Sequence, residues 1–183
     1  MAPELDTLTT LAFDLDPGEP AGLLDAARIA LVLRDMLAGV GLRTWAKSSG
    51  SRGVQVYAPL NSDVRFDAAK AFARSVAEVM ASRMAEQVVA RMEKRLRGGK
   101  VLVDWSQNDR HKSTVAAYSL RAKLSRPTVS IPVSWHELEA IVDRGTADAL
   151  LLAPEEALDR VADTGDLFAS VLTCVQHLPA GAA

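Results

Sequence analysis

Apolar and polar positions change rhythm several times along the chain, and each change marks an element. From Leu8 to Asp16 an apolar run takes up two acids, Asp14 and Asp16, before Pro17-Gly18 stops it, which predicts a strand closed by a turn. Ala21 to Ala38 carries charge only at Asp25, Arg28, Arg34 and Asp35 and predicts a long apolar helix, stopped by Gly39 and Gly41. Leu42–Lys47 and Val54–Pro59 predict two further strands around the small-residue loop Ser48-Ser49-Gly50-Ser51-Arg52-Gly53. Helical spacing (Ala71, Phe72, Val76, Val79, Met80) runs from Asp67 towards Arg97, with a break near Glu86 and a stop at Gly98-Gly99. Lys100–Trp105 predicts a strand carrying Asp104 near its end, with a polar loop from Ser106 to Lys112 behind it. Thr114–Leu120 predicts another short strand, and Thr128–Val133 is expected to be extended. Ser134 as N-cap and Glu137 three residues on form a capping box for a helix to about Val142. Pro154–Val161 and Leu167–His177 predict two short helices. Strands and helices alternate, so the class is α/β or α+β.

Composition adds bounds. The 183 residues suit one domain with a sizeable core, residues 1–7 being a lead-in. With no apolar run of membrane-spanning length and no leader pattern, a cytoplasmic protein without a membrane partner is expected. Cys174 is the single cysteine, which leaves no intrachain disulfide and no Cys/His spacing for zinc; its apolar flanks predict a buried structural thiol. His111 reads as a surface residue, His136 as part of a helix start, and Trp45, Trp105 and Trp135 as core or wall. The net charge of −2 hides an asymmetry: residues 91–126 hold ten Lys/Arg against three Asp/Glu, and residues 134–166 hold two against nine. A basic middle beside an acidic tail supports a polyanion-binding face, although such a run is also an ordinary solvated surface.

Chemistry enters at the first strand. Asp14 and Asp16 alternate on one face, and two carboxylates at a strand end can grip a hard cation such as Mg2+ or Mn2+. On spacing alone a plain turn with a solvated strand end is the stronger reading. Two further stretches change that. The 48–53 loop can nest a triphosphate with its backbone N–H groups, although it is a poor match to a Walker loop. Asp104 is a third acid at the end of an apolar strand. Three carboxylates on neighbouring strand ends suit a two-metal phosphoryl-transfer site, and Arg110, Lys112, Arg121 and Lys123 then lie where phosphates of substrate or template would be met.

These stretches have a family likeness. Phe13-Asp14-Leu15-Asp16-Pro17-Gly18, the run from Lys47 to Val56, and the long run from Val103 to Ala122 (Val103-Asp104-Trp105-Ser106-Gln107-Asn108 onwards) resemble the polymerase domain of bacterial ATP-dependent DNA ligase D, in the archaeo-eukaryotic primase superfamily. The likeness runs in order from about Leu8 to Pro179 and covers the family's C-terminal catalytic part. It implies a primase-polymerase core, with a mixed or antiparallel sheet and flanking helices. The implied activity is a nucleotidyltransferase that uses Mn2+ or Mg2+ to add nucleotides to a primer end in non-homologous end joining. The implied partners are DNA, a nucleoside triphosphate and a ligase or end-binding repair protein. By position Asp14, Asp16 and Asp104 match metal-binding catalytic aspartates, while Ser49, Gly50, Arg52, Gln55 and Arg121 match the nucleotide site, and Arg110, Lys112 and Lys123 are expected on nucleic acid. Two departures stand out. Gln55 replaces the family's histidine, losing a charge-assisted contact of about 1.5–3 kcal/mol. The sequence also begins almost at the Asp-x-Asp strand, where the family has a further N-terminal segment, so either a fragment or mis-started frame, or a pared-down relative, is expected. These departures leave open an alternative: a degenerate, non-catalytic relative that binds DNA, nucleotide or a repair partner.

Overall fold

The computed structural model describes residues 6–179. Six strands form one sheet in the order β4-β5-β1-β3-β2-β8. They are β1 (Thr10–Pro17), β2 (Trp45–Ser48), β3 (Val54–Pro59), β4 (Val88–Val89), β5 (Val101–Asp104) and β8 (Pro132–Val133). Every pairing is antiparallel except β4 with β5. A small second ladder joins β6 (Leu120–Arg121) to β7 (Thr128–Val129). Four α-helices among the described residues pack with them: α1 (Leu23–Ala38), α2 (Phe66–Arg83), α3 (Trp135–Arg144) and α4 (Pro154–Thr164). The mixed α/β class and the mostly antiparallel sheet are as the sequence predicts.

The sheet has two unlike faces, and β1 shows why. Leu11, Phe13 and Leu15 point into a core shared with Ala26, Ala30 and Leu33 of α1 and with Phe72, Val76 and Met80 of α2. Asp14 and Asp16, at the alternate positions, must therefore point to the opposite face. The same parity continues in β3, where Val54, Val56 and Ala58 join the core and Gln55 and Tyr57 do not. Burial of this kind is worth about 1.5–3 kcal/mol per large side chain, so the register of β1 is strongly fixed. Beyond the end of β5 the ladder is continued by one side chain. Asn108, fully buried, accepts from Ala12 N and donates to Ala12 O, both at 2.8 Å.

Helix ends follow local chemistry. Asp25 accepts from Gly22 N at 2.9 Å to open α1, and Ser134 and Glu137 form the expected box at α3. Three predicted elements differ. The helix from Asp67 stops at Arg83, because Val88 and Val89 leave it to pair with Val101 and Leu102 of β5. Two adjacent β-branched residues gain a buried ladder there, which outweighs helix propensity. Thr114–Leu120 does not form a strand; Tyr118 sits at φ 64° and turns the chain, leaving only Leu120–Arg121 paired. Leu167–His177 shortens to a 3-10 turn, Ala169–Leu172. The chain after it bonds outward: Gln176 N donates to Leu60 O at 2.8 Å, and Asn61 Nδ2 donates to Val171 O and Cys174 O. Cys174 is buried as expected, His111 and His136 are exposed, and the indole N–H groups of Trp105 and Trp135 donate to Ala90 O and Thr44 O as wall residues do.

Candidate active site

The register lines four polar side chains up in one row across four strands. Lys47 of β2 faces Gln55 of β3, Gln55 faces Asp14 of β1, and Asp14 faces Asp104 at the end of β5. Directly opposed residues share a face with Cβ atoms about 4.5–5.5 Å apart, so an ammonium, an amide and two carboxyls follow one another across the sheet. Asp16 stands on the same face in the next row of like parity, paired with Leu102. All three predicted acids thus share one face of two adjacent strands.

Their electrostatics are strained in one direction. Burial is the main cause that pushes the Asp14 carboxyl up to about 6; Asp16 and Asp104 add to it, while a hydrogen bond from Gln55 and the Lys47 charge oppose it. Asp104 Oδ1 accepts from Ser106 N at 2.9 Å and Ser106 Oγ at 2.6 Å, and Oδ2 accepts from Gln107 Nε2 at 2.8 Å. Asp16 Oδ2 accepts from Arg97 at 3.3 Å. With side chains in these positions, no three Asp, Glu, His or Cys among the described residues are close enough to hold an ion. Juxtaposition here belongs to the backbone register, not to carboxyl contact. The donor set still fits Mg2+ or Mn2+: hard oxygens, mutually repelling, on adjacent strands, with lone pairs left after these hydrogen bonds.

Around the acids the remaining positions divide. Gly50 has φ +67°, and a Cβ there would lie 2.6 Å from Arg121 Cγ and 2.9 Å from Ser130 N. Only glycine fits such a position, and it lets Arg121 lie directly on the loop. Thr128 Oγ1 also donates to Gly50 O at 2.5 Å. Ser49 Oγ accepts from Ser51 N at 3.2 Å and Gly53 N at 3.1 Å, so that hydroxyl braces the loop from within. Gly53 presses on β1 itself, since a Cβ there would be 2.6 Å from Leu15 O. Arg52 turns to Glu19, pairs with it at 2.7 Å and lines, with Asp16, Lys94 and Arg97, a cavity of about 340 Å³. Gln55 Oε1 accepts from the Tyr57 hydroxyl at 3.0 Å, and burial pushes that phenol up to about 12.

Two residues that sequence reasoning missed stand in the site. Lys47 is 1% exposed, and burial pushes its ammonium down to about 7 against the pull of Asp14. Its face is set by the pairing of β2 with β3, which puts it opposite Gln55 and which no local pattern in Trp45–Ser48 announces. Arg97, bonded to Asp16, has no such signal; it precedes Gly98-Gly99 as one base in a basic stretch.

The model of the LigD primase-polymerase domain matches residues 1–168. The chain belongs to that family. Over 160 residues it is 43% identical to the multifunctional non-homologous end joining protein LigD of Mycobacterium bovis, covering 87% of this chain and 20% of that protein. It is 40% identical over 163 residues to LigD of Mycolicibacterium smegmatis, covering 88% and 20%, and 26% identical over 159 residues to the bifunctional LigD of Bacillus subtilis, covering 86% and 25%. The chain therefore spans a fifth to a quarter of the length of these LigD relatives. Among solved structures it matches the polymerase domain from Mycobacterium tuberculosis ligase D in complex with DNA, with a TM-score of 0.83 and 40% identity over 93% of this chain and 57% of that one. The fold is that of the LigD polymerase domain. Of the positions expected on nucleic acid, Arg110 pairs with Asp6 at 3.2 Å, and Lys112 and Lys123 are exposed on the stretch between β5 and β7. No described helix is long and apolar enough to cross a membrane.

Proposed function

We propose that this chain is a nucleotidyltransferase that adds nucleotides to a primer end during DNA break repair by non-homologous end joining. The row Lys47–Gln55–Asp14–Asp104, with Asp16 beside it, is the observation that supports the activity most directly. Asp14, Asp16 and Asp104 would hold Mn2+ or Mg2+. An ion held there would supply Lewis-acid activation of the primer 3′-hydroxyl and charge neutralisation on the triphosphate. The chain's own part is placement. Gly50 and Ser49 offer a tight loop to the triphosphate and Arg121 lies across that loop, while Arg52, Lys94 and Arg97 add positive charge on the Asp16 side. Arg110, Lys112 and Lys123 would meet backbone phosphates of the duplex. The partners are then DNA, a nucleoside triphosphate and a ligase or end-binding repair protein, and the compartment is the cytoplasm.

A primer-extension assay of the purified chain with Mn2+ tests this, and Asp14→Ala is expected to abolish incorporation. Gln55 supports the alternative of a non-catalytic binding relative, because an amide can neither carry positive charge nor shuttle a proton. Duplex binding without incorporation, restored to incorporation by Gln55→His, would place the defect in that residue alone.

A further inference from the structure

Lys47 is the buried group that the proposed chemistry leaves unused. An ammonium is expensive to bury, and a methionine would fill the same volume. What the lysine adds is a fixed hydrogen-bond direction. Lys47 Nζ donates to Ser130 Oγ at 2.7 Å, and Ser130 Oγ donates to Ser48 O, also at 2.7 Å. With Nζ donating to its oxygen, the serine hydroxyl sends its own proton to the Ser48 carbonyl, at the start of the 48–53 loop. Ser48 Oγ in turn accepts from Gly50 N and Ile131 N, both at 3.3 Å. The Ser130 backbone holds the other wall. Tyr118 N donates to Ser130 O at 2.7 Å and Ser130 N donates to Ser119 O at 3.0 Å, just ahead of Arg121. Both walls meet where Gly50 touches Arg121.

We propose that Lys47 is a positioning residue for the incoming nucleoside triphosphate: through Ser130 it locks the 48–53 loop against the Arg121 segment. This deepens the proposed function and rests on its nucleotide site. The ammonium orients the hydroxyl, the hydroxyl fixes the Ser48 carbonyl, and loop and arginine are held at one separation. Lys47 needs no contact with the nucleotide.

The test uses ATP with Mn2+ as the probe, read by calorimetric binding and by primer extension. Lys47→Met and Ser130→Ala are each expected to weaken ATP binding about tenfold, the loss expected for one buried hydrogen bond to a charged group. For Ser130→Ala, KM for ATP should rise in parallel while kcat stays within about threefold, because the lost contact is one of uniform binding. Lys47→Met is read by ATP binding alone, because its charge also acts on Asp14. The double variant should bind no more weakly than either single one, because both break the same link. Affinity for duplex DNA should not change. Variants that bind ATP as the unaltered chain does, or losses that multiply in the double variant, overturn the inference. So does a fall in kcat and melting temperature of Ser130→Ala with KM unmoved, which is what a merely structural role would give. If Lys47→Met does not melt cooperatively, Ser130→Ala decides alone. An unaltered chain that binds no ATP with Mn2+ refutes the nucleotide site itself, a distinct result from variants that bind normally.

Discussion

Asp14 carries the strongest conflict between folding and chemistry. It is a carboxylate held among Asp16, Asp104 and a largely buried sheet face, with its carboxyl pushed up to about 6. Ionised and without a cation, it costs the fold stability. Asp14→Asn is therefore expected to raise stability at pH 8 in a chelator by on the order of 1 kcal/mol while abolishing incorporation, as measured by urea melts and primer extension. Added Mn2+ should raise the melting temperature of the unaltered chain and leave the Asn variant unmoved. The acids were legible in the sequence because each ends an apolar run and strand parity sends Asp14 and Asp16 the same way. Lys47 and Arg97 were not. Lys47 lies in a short strand whose neighbours give no polar alternation, and Arg97 reaches Asp16 only through a turn that no local pattern describes.

At the scale of elements, the 48–53 loop depends on a glycine with no substitute. Gly50→Ala must move Arg121, Ser130 or the loop, since three contacts at or below 3.0 Å await a Cβ and φ is +67°. A cost of about 1–3 kcal/mol is expected in denaturant melts, with loss of ATP binding well before loss of the fold. The link between α3 and α4 gives a pH signature. Glu137 accepts from Arg160 Nη1 at 2.6 Å and Nη2 at 2.8 Å and from Ser134 N at 2.8 Å. The Arg160 contact is the main cause that holds its carboxyl down at about 2, against an ordinary 4.5. A carboxyl depressed in the folded state adds stability above its unfolded value, and that stability is lost as pH falls from about 4.5 towards 2. Glu137→Gln should cost about 1–2 kcal/mol at pH 7, discounted because the pair is partly solvated, and the difference from the unaltered chain should vanish near pH 2. The capping box was readable because it is local. The break near Glu86 was readable too; the strand that follows it was not, because β4 is decided by β5, whose contribution to the ladder comes from later in the chain.

For the whole molecule, the uneven charge matters more than its sum. Ten bases against three acids in residues 91–126, followed by two against nine in residues 134–166, give the chain one stretch that attracts phosphate and one that repels it. Duplex affinity should fall steeply with salt, and Lys112→Gln and Lys123→Gln should each flatten the slope of log K against log salt by about one. Neutralising Glu155 or Asp163, exposed acids of α4, should leave that slope alone.

The parity of β1 has one more consequence. Phe13 and Asp14 are neighbours in the chain but belong to opposite sides of the sheet, one among hydrocarbon and one among charges. A one-residue insertion or deletion between Leu11 and Asp16 would exchange the two sides, leaving an aromatic ring on the acidic face and an acid inside oil. Length within this segment is therefore frozen. Thr10 and Ala12 stand on the same side as the acids, Thr10 half-buried and Ala12 buried with its backbone bonded to Asn108.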